Sequence, residues 1–207
     1  MNAVVQKPGL AATGVATESA ARGYIGLSVR CGIDFIKERG LTEKVRADAS
    51  PATRQALDNP PAKLGWHDAT VLDELETLLL KYGGRDACVD LGHYAGVSLG
   101  GGIVKPVLSF ALQIFGTTPQ TIFSNLDRFY SIVTRGLHYQ FEPISKKSGT
   151  LVLTAEGRNP PPALFDVCRG NLIYLLDLVG VTGTIEPYET RSADSIKTVV
   201  TFAVSWE

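Results

Sequence analysis

No stretch of the 207-residue sequence approaches the run of about eighteen apolar residues that a spanning helix needs, so a transmembrane helix is not expected. Charge of one sign is equally lacking. Twenty basic side chains against 21 acidic ones leave a formal charge of -1, and no dense Lys/Arg cluster stands out. Without a field or a patch, neither nucleic acid nor a membrane surface is an expected partner. Cysteine is scarce too: Cys31, Cys88 and Cys168 form an odd, widely spaced set inside apolar helical patterns. That argues against a disulfide framework or a metal site and points to buried thiols in a reducing cytoplasm. The opening MNAVVQKPGLAATGVATESAA has neither the basic cluster nor the apolar core of a signal peptide, so residues 1–20 read as a flexible tail. Internal repeats are absent.

What is present in the first half is helical periodicity. Tyr24, Leu27, Cys31 and Phe35 recur at spacings of three and four before Gly40, the residue type that favours a helix end. Pro51, Pro60 and Pro61 limit residues 48–65 to a connection holding at most a short helix. In HDATVLDELETLLLKYGG, Thr70 is a candidate N-cap, the stripe is Val71, Leu72, Leu75, Leu78, Leu79 and Tyr82, and Gly83-Gly84 are the stop. Further helices are expected over 85–98, over 103–115 with Val107, Phe110, Ala111 and Ile114 on one side, and over 119–135. The last is capped by Thr118, opened by Pro119 and striped by Ile122, Phe123, Leu126, Phe129 and Val133.

At Gly136 the period changes to two. Leu137, Tyr139 and Phe141 alternate with His138, Gln140 and Glu142, residues 146–149 turn, and TLVLTAEG returns as a hairpin. Pro160-Pro161-Pro162 then opens a helix with Phe165, Cys168, Leu172, Leu175, Leu176 and Val179 on its stripe, ended by Gly180. TGTIEPYET, a turn at 191–194 and SIKTVVTFAVSWE make a second hairpin, with Ile196, Thr198, Val200, Phe202, Val204 and Trp206 on one face of its last strand. Hairpin, helix, hairpin predicts a four-stranded antiparallel sheet packed with the helical half: a single α+β domain over residues 21–207.

This order of elements resembles the superfamily that contains haem-nitric-oxide-binding sensor domains, 4-vinyl-reductase-type ligand sensors and TRAPP subunits of Golgi transport. The segments DLGHYAGVSLGGGIVKPVL, GLHYQFEPISKKSGTLVLT, FDVCRGNLIYLLDLVGVTG and VVTFAVSWE are similar to a family of small myxobacterial proteins of unknown function. The resemblance implies a cavity between helices and sheet. It also implies, for haem-binding members, an iron-ligating histidine on the helix before the first hairpin and a Tyr-x-Ser-x-Arg motif on the strand. Here the helix reads TIFSNLDRFYSIVTRG, with Phe129 and Tyr130 where the histidine would fall, and the strand reads TLVLTAEGR. Both signatures are missing, so no cofactor is expected; nor does a cysteine follow Cys168, as the vinyl-reductase-type sensors would have.

Candidate chemistry is sparse. His67, His93 and His138 have no partners at ligand spacing and read as surface or half-buried residues. Gly96-Val97-Ser98-Leu99-Gly100 fits the nucleophile-elbow expression, but the residues before it read as helix instead of strand. In HYAGVSLGGGIVK, Ile103 and Val104 separate the glycines from Lys105 and Pro106 follows, against a phosphate loop; Gly100-Gly101-Gly102 read as a flexible break between helices. Asp73, Glu74 and Glu76 are expected on a solvated face, and Asp166, Arg169 and Asp177 suggest a salt bridge along their own helix. The aromatics able to line a pocket are Phe110, Phe115, Phe123 and Phe129 from the helices, then Tyr130, Tyr139, Phe141 and Tyr174. They suit a packed core equally well, because sequence does not distinguish filled from empty volume. The expected function is a non-enzymatic sensory or regulatory domain binding a small apolar ligand. The alternative is an interaction or scaffold domain without ligand, as a homodimer or with another protein.

Overall fold

The computed structural model describes residues 22–101, 118–157, 159–194 and 196–207; the expected tail over 1–20 and the expected helix over 103–115 lie outside them. The chain begins with a short strand, β1 (Gly23–Ile25), that runs directly into α1 (Gly26–Glu38). α1 closes at Gly40 as its spacing predicts: Gly40 N–H donates to the Lys37 carbonyl and Leu41 N–H reaches back to that of Ile36. The proline-bounded connection holds α2 (Thr42–Asp48) and α3 (Pro51–Asp58). Ser50 caps α3 by accepting from Thr53 N–H, and Pro51 takes the first helical position, where a missing N–H does no harm.

After β2 (Trp66–Asp68) comes α4 (Thr70–Gly101), the longest element. At Gly84 the backbone turns to φ 79 and ψ -178, a non-helical conformation open to glycine alone, so two helical limbs meet at a kink where the glycine pair was expected to stop the first. Gly100 and Gly101 are helical, which corrects the break expected there; Gly102 lies outside the described residues. The single helix expected over 119–135 is also corrected. It divides at Asn125 into α5 (Pro119–Ser124) and α6 (Leu126–Tyr130). The Asn125 side-chain amide donates to the Thr121 carbonyl at 2.9 Å, a bond that competes with backbone helix bonding.

Residues 134–135 are strand β3 (Thr134–Arg135), completing a three-stranded sheet in the order β2-β1-β3 that periodicity does not reveal, because its members are two or three residues long. The main sheet contains β4 (Leu137–Ser145), β5 (Ser148–Glu156), β6 (Gly183–Ile185), β7 (Glu189–Ala193) and β8 (Lys197–Trp206), all antiparallel. The order is β4-β5-β8-β6 with β7 also paired to β8. Five strands therefore stand where four were expected. Pro187 lacks a ladder donor and separates β6 from β7, which pair with opposite ends of β8. Val200, Phe202, Val204 and Trp206 are buried as their alternation predicts, whereas Ile196 precedes the strand and is 58% exposed.

Between the hairpins, α7 (Pro162–Leu178) packs along the second half of α4. The two backbones touch at glycines. A Cβ on Gly92 would lie 1.9 Å from the Val167 carbonyl oxygen, and one on Gly170 would lie 1.9 Å from that of Val89. A bidentate ion pair fastens the same crossing, Arg85 Nε to Asp166 Oδ2 at 3.0 Å and Nη2 to Oδ1 at 2.8 Å, with Asp166 buried. The salt bridge expected along α7 is thus corrected: Asp166 pairs with α4, Arg169 donates to the Ile185 carbonyl at 2.7 Å, and Asp177 meets His93 on α4 at 2.8 Å. One apolar cluster runs from α1 through α4 and α7 to the sheet. Because a Gly170 Cβ meets backbone and no flexible side chain, Gly170→Ala is expected to lower stability by about 3 kcal/mol, measured by denaturant unfolding.

Candidate functional site

α4 carries Leu72, Leu75, Glu76 and Leu79 at the i, i+3, i+4, i+7 spacing of one face, and that face is buried. Glu76 is consequently 1% exposed, which corrects its expected place on a solvated surface. Its neighbours are not plain surface groups either. Asp73 receives both guanidinium nitrogens of buried Arg22, and Glu74 accepts from Ser50 N–H, Ser50 Oγ and Thr53 Oγ1, fixing the start of α3.

Glu76 faces a cavity of about 60 Å³ bordered by α1, α4, α7 and the strands β1, β3 and β4. Leu72, Leu91, Val133, Leu137, Leu164 and Val167 supply its apolar wall. Its polar part is made by Tyr24, Ser28, Glu76, Tyr130, Thr134, Tyr139, Cys168 and Asn171. Two of these polar groups have no partner: Glu76 Oε2 and the Tyr24 hydroxyl, both fully buried. Tyr139 Oη donates to Cys168 Sγ at 3.5 Å and Thr134 Oγ1 to the Tyr130 backbone carbonyl at 3.0 Å.

Burial, helped by the nearby Asp73 carboxylate, pushes the Glu76 carboxyl up to about 8, while the Arg22 guanidinium opposes the shift. Burial likewise pushes the Cys168 thiol up to about 12 and raises Tyr24, Tyr130 and Tyr139. At neutral pH the cavity is therefore lined by uncharged groups. No lysine, arginine or histidine lines it among the described residues.

Of the aromatics singled out from sequence, Tyr130 and Tyr139 meet at the cavity, their ring centroids 4.8 Å apart. Phe123 and Phe141 stack with Trp206 elsewhere in the core, Phe129 packs on the core without reaching the cavity, and Tyr174 lies against Gly96 and the edge of His93. Phe110 and Phe115 fall outside the described residues. Sequence reasoning missed Tyr24, Glu76 and Cys168 as a group; the spacing of Glu76 with Leu72 and Leu79 was the available signal. The three histidines stay apart: His67 on β2, His93 on Asp177, and His138 between Asp127 at 3.6 Å and Glu156 at 3.4 Å. Among the described residues no three His, Cys, Asp or Glu side chains are placed to hold a metal ion. Ser98 is exposed within helical α4, so the G-x-S-x-G match is no elbow.

No protein-family model matches the chain, and no curated protein matches it. Solved structures do. A double mutant of the Tt H-NOX protein superposes with a TM-score of 0.63 at 10% identity, over 88% of this chain and 95% of that one. An Fe(II) unliganded H-NOX mutant from K. algicida gives 0.63 at 11% identity, over 88% and 96%. The oxygen complex of an oxygen-binding H-NOX domain related to soluble guanylate cyclases gives 0.59 at 10% identity, over 88% and 94%. The chain has the H-NOX-like α+β fold. At such identity the likeness is one of fold.

That fold family implies haem, and the described residues do not fit it. A cavity of about 60 Å³ is far below the roughly 300 Å³ at which sites for larger organic ligands begin. Tyr130 is the wall residue nearest the expected axial position, but a phenol ligates iron as phenolate, and burial holds this one protonated with no cation beside it. Arg22, the nearby guanidinium, is committed to Asp73 and leaves no partner for propionates. Hemin added to the protein is expected to give no sharp Soret band of an axially ligated haem.

The raised Glu76 carboxyl also sets a pH profile. The unfolded chain ionises this group near its ordinary value of 4.5 while the folded chain holds the proton up to about 8, so folding loses stability as pH rises between them. The slope approaches about 1.4 kcal/mol per pH unit. Carboxyls such as Asp48, Asp58 and Asp68 are held low and exert the opposite slope only in acid. Glu76→Gln is expected to flatten the melting temperature between pH 5 and pH 8, as measured by thermal unfolding in a buffer series.

Proposed function

We propose that this chain is a non-enzymatic sensory or regulatory domain that binds a small ligand in the cavity between α4, α7 and the sheets. The observation that carries this reading is the pair of unpartnered buried groups, Glu76 Oε2 and Tyr24 Oη, facing empty volume. Each such group costs about 1–3 kcal/mol in a folded protein unless something binds it. The H-NOX-like fold supports a sensory role by analogy, and the Cys168 thiol, pushed up to about 12, is no nucleophile at neutral pH.

Volume limits the ligand. A cavity of about 150 Å³ holds benzene, so about 60 Å³ holds two or three heavy atoms. At no more than about 1.5 kcal/mol per atom, affinity reaches only the millimolar range. The domain is thus suited to an abundant solute with a polar end instead of a purely apolar one.

Xenon under pressure, followed by methyl NMR, is expected to shift the signals of Leu72, Leu91, Leu164 and Val167. Gly32 lines the cavity, and a Cβ there meets only Leu72 Cδ1 at 3.5 Å and Leu75 Cδ1 at 3.8 Å, so Gly32→Leu has room to extend into the space. That variant should lose the response. A wild-type protein indifferent both to xenon and to small polar solutes would sink the reading.

A further inference from the structure

Acceptor oxygens are plentiful on the cavity wall, which also carries the hydroxyls of Tyr24, Ser28 and Tyr130. Tyr139 spends its hydroxyl hydrogen on Cys168 Sγ and Thr134 spends its own on the Tyr130 carbonyl, leaving both oxygens as acceptors. Asn171, also on the wall, spends one amide hydrogen on the Val167 carbonyl. Tyr24 Oη and Glu76 Oε2 have no partner at all. For these oxygens an ammonium group brings three or more donors, where a water or an alcohol brings fewer.

Charge narrows the class further. The groups facing Glu76 are Asp73 and Cys88 from α4, Arg22 and Tyr24 from the segment leading into and through β1, and Cys168 from α7. Only Arg22 and Asp73 are charged among them, and they cancel in a bidentate pair. An ionised Glu76 would therefore leave one net negative charge at the cavity, which one monovalent cation neutralises. An anion would meet no cationic side chain among the described lining residues.

We infer that the cavity takes a small protonated amine of about methylammonium size, with Glu76 as counter-ion and Tyr24 as a second acceptor. The inference rests on the ligand-binding reading of this cavity. Its balance is simple: the ammonium enters carrying its proton, Glu76 gives its own carboxyl proton to solvent, and no covalent bond to carbon changes. With the carboxyl held near 8, ionising it at pH 7 weakens binding only about tenfold, a factor that vanishes as pH passes 8.

The test is an NMR titration of the whole chain at pH 7 and matched ionic strength with three probes of similar size: methylammonium, methanol and formate. Calorimetry in two buffers of different ionisation enthalpy counts the protons. Methylammonium should saturate in the millimolar range, at least tenfold tighter than either other probe, with release of close to one proton. Glu76→Gln should weaken it at least tenfold and leave methanol unchanged, and Tyr24→Phe should weaken it less. Equal binding of methanol or formate, or methylammonium binding that releases no proton and ignores Glu76→Gln, overturns the amine assignment. If xenon enters but no probe saturates, the assignment falls while the ligand-binding reading stands. Silence toward xenon and all three probes removes both.

Discussion

Two helices touch backbone to backbone only where neither carries a side chain at the contact, and the packing of α4 against α7 depends on that condition. Gly92 and Gly170 each approach a carbonyl oxygen of the other helix so closely that a single methyl would not fit. The approach brings Leu91 and Ala95 within reach of Val167, Cys168 and Asn171, so one side of the cavity is a product of the crossing. It also sets the Arg85–Asp166 pair in register. Removing Arg85 would strand a buried carboxylate, which makes the pair a penalty against misalignment more than a source of stability.

The cavity is held by a second arrangement, built on charge. Arg22 immediately precedes β1, is 7% exposed, and is matched by Asp73 on the first turn of α4. Their mutual neutralisation permits a third ionisable group, Glu76, to lie one turn further along in an apolar setting and remain a neutral acid. Likeness of fold to H-NOX proteins does not fix the site: the space between helices and sheet is about 60 Å³ here and furnished with hydroxyls and a carboxyl.

Much of the architecture was legible in sequence because it is written in local signals. The ends of α1 and α7 at Gly40 and Gly180, the cap at Thr118, and the alternation of β4, β5 and β8 all follow from single-residue chemistry and period. The small sheet of β1, β2 and β3 was not legible, since segments of two or three residues carry no period and their pairing is set by tertiary contact. The division of α5 from α6 escaped notice because Asn125 breaks the helix by a side-chain bond that leaves the apolar stripe intact. For the site the lesson is different. Tyr130 and Tyr139 were found as aromatics, but Glu76 was judged by its charge when its spacing placed it among leucines. Whether aromatics enclose space or fill it depends on shapes that composition does not record: Phe123 and Phe141 fill, Tyr130 and Tyr139 enclose.

The bend at Gly84 gives the long helix two limbs. Leu72 and Glu76 belong to the limb before the bend, Leu91 and Ala95 to the limb after it, and all four border the same space. The width of that space and the angle of the bend are therefore one geometric variable.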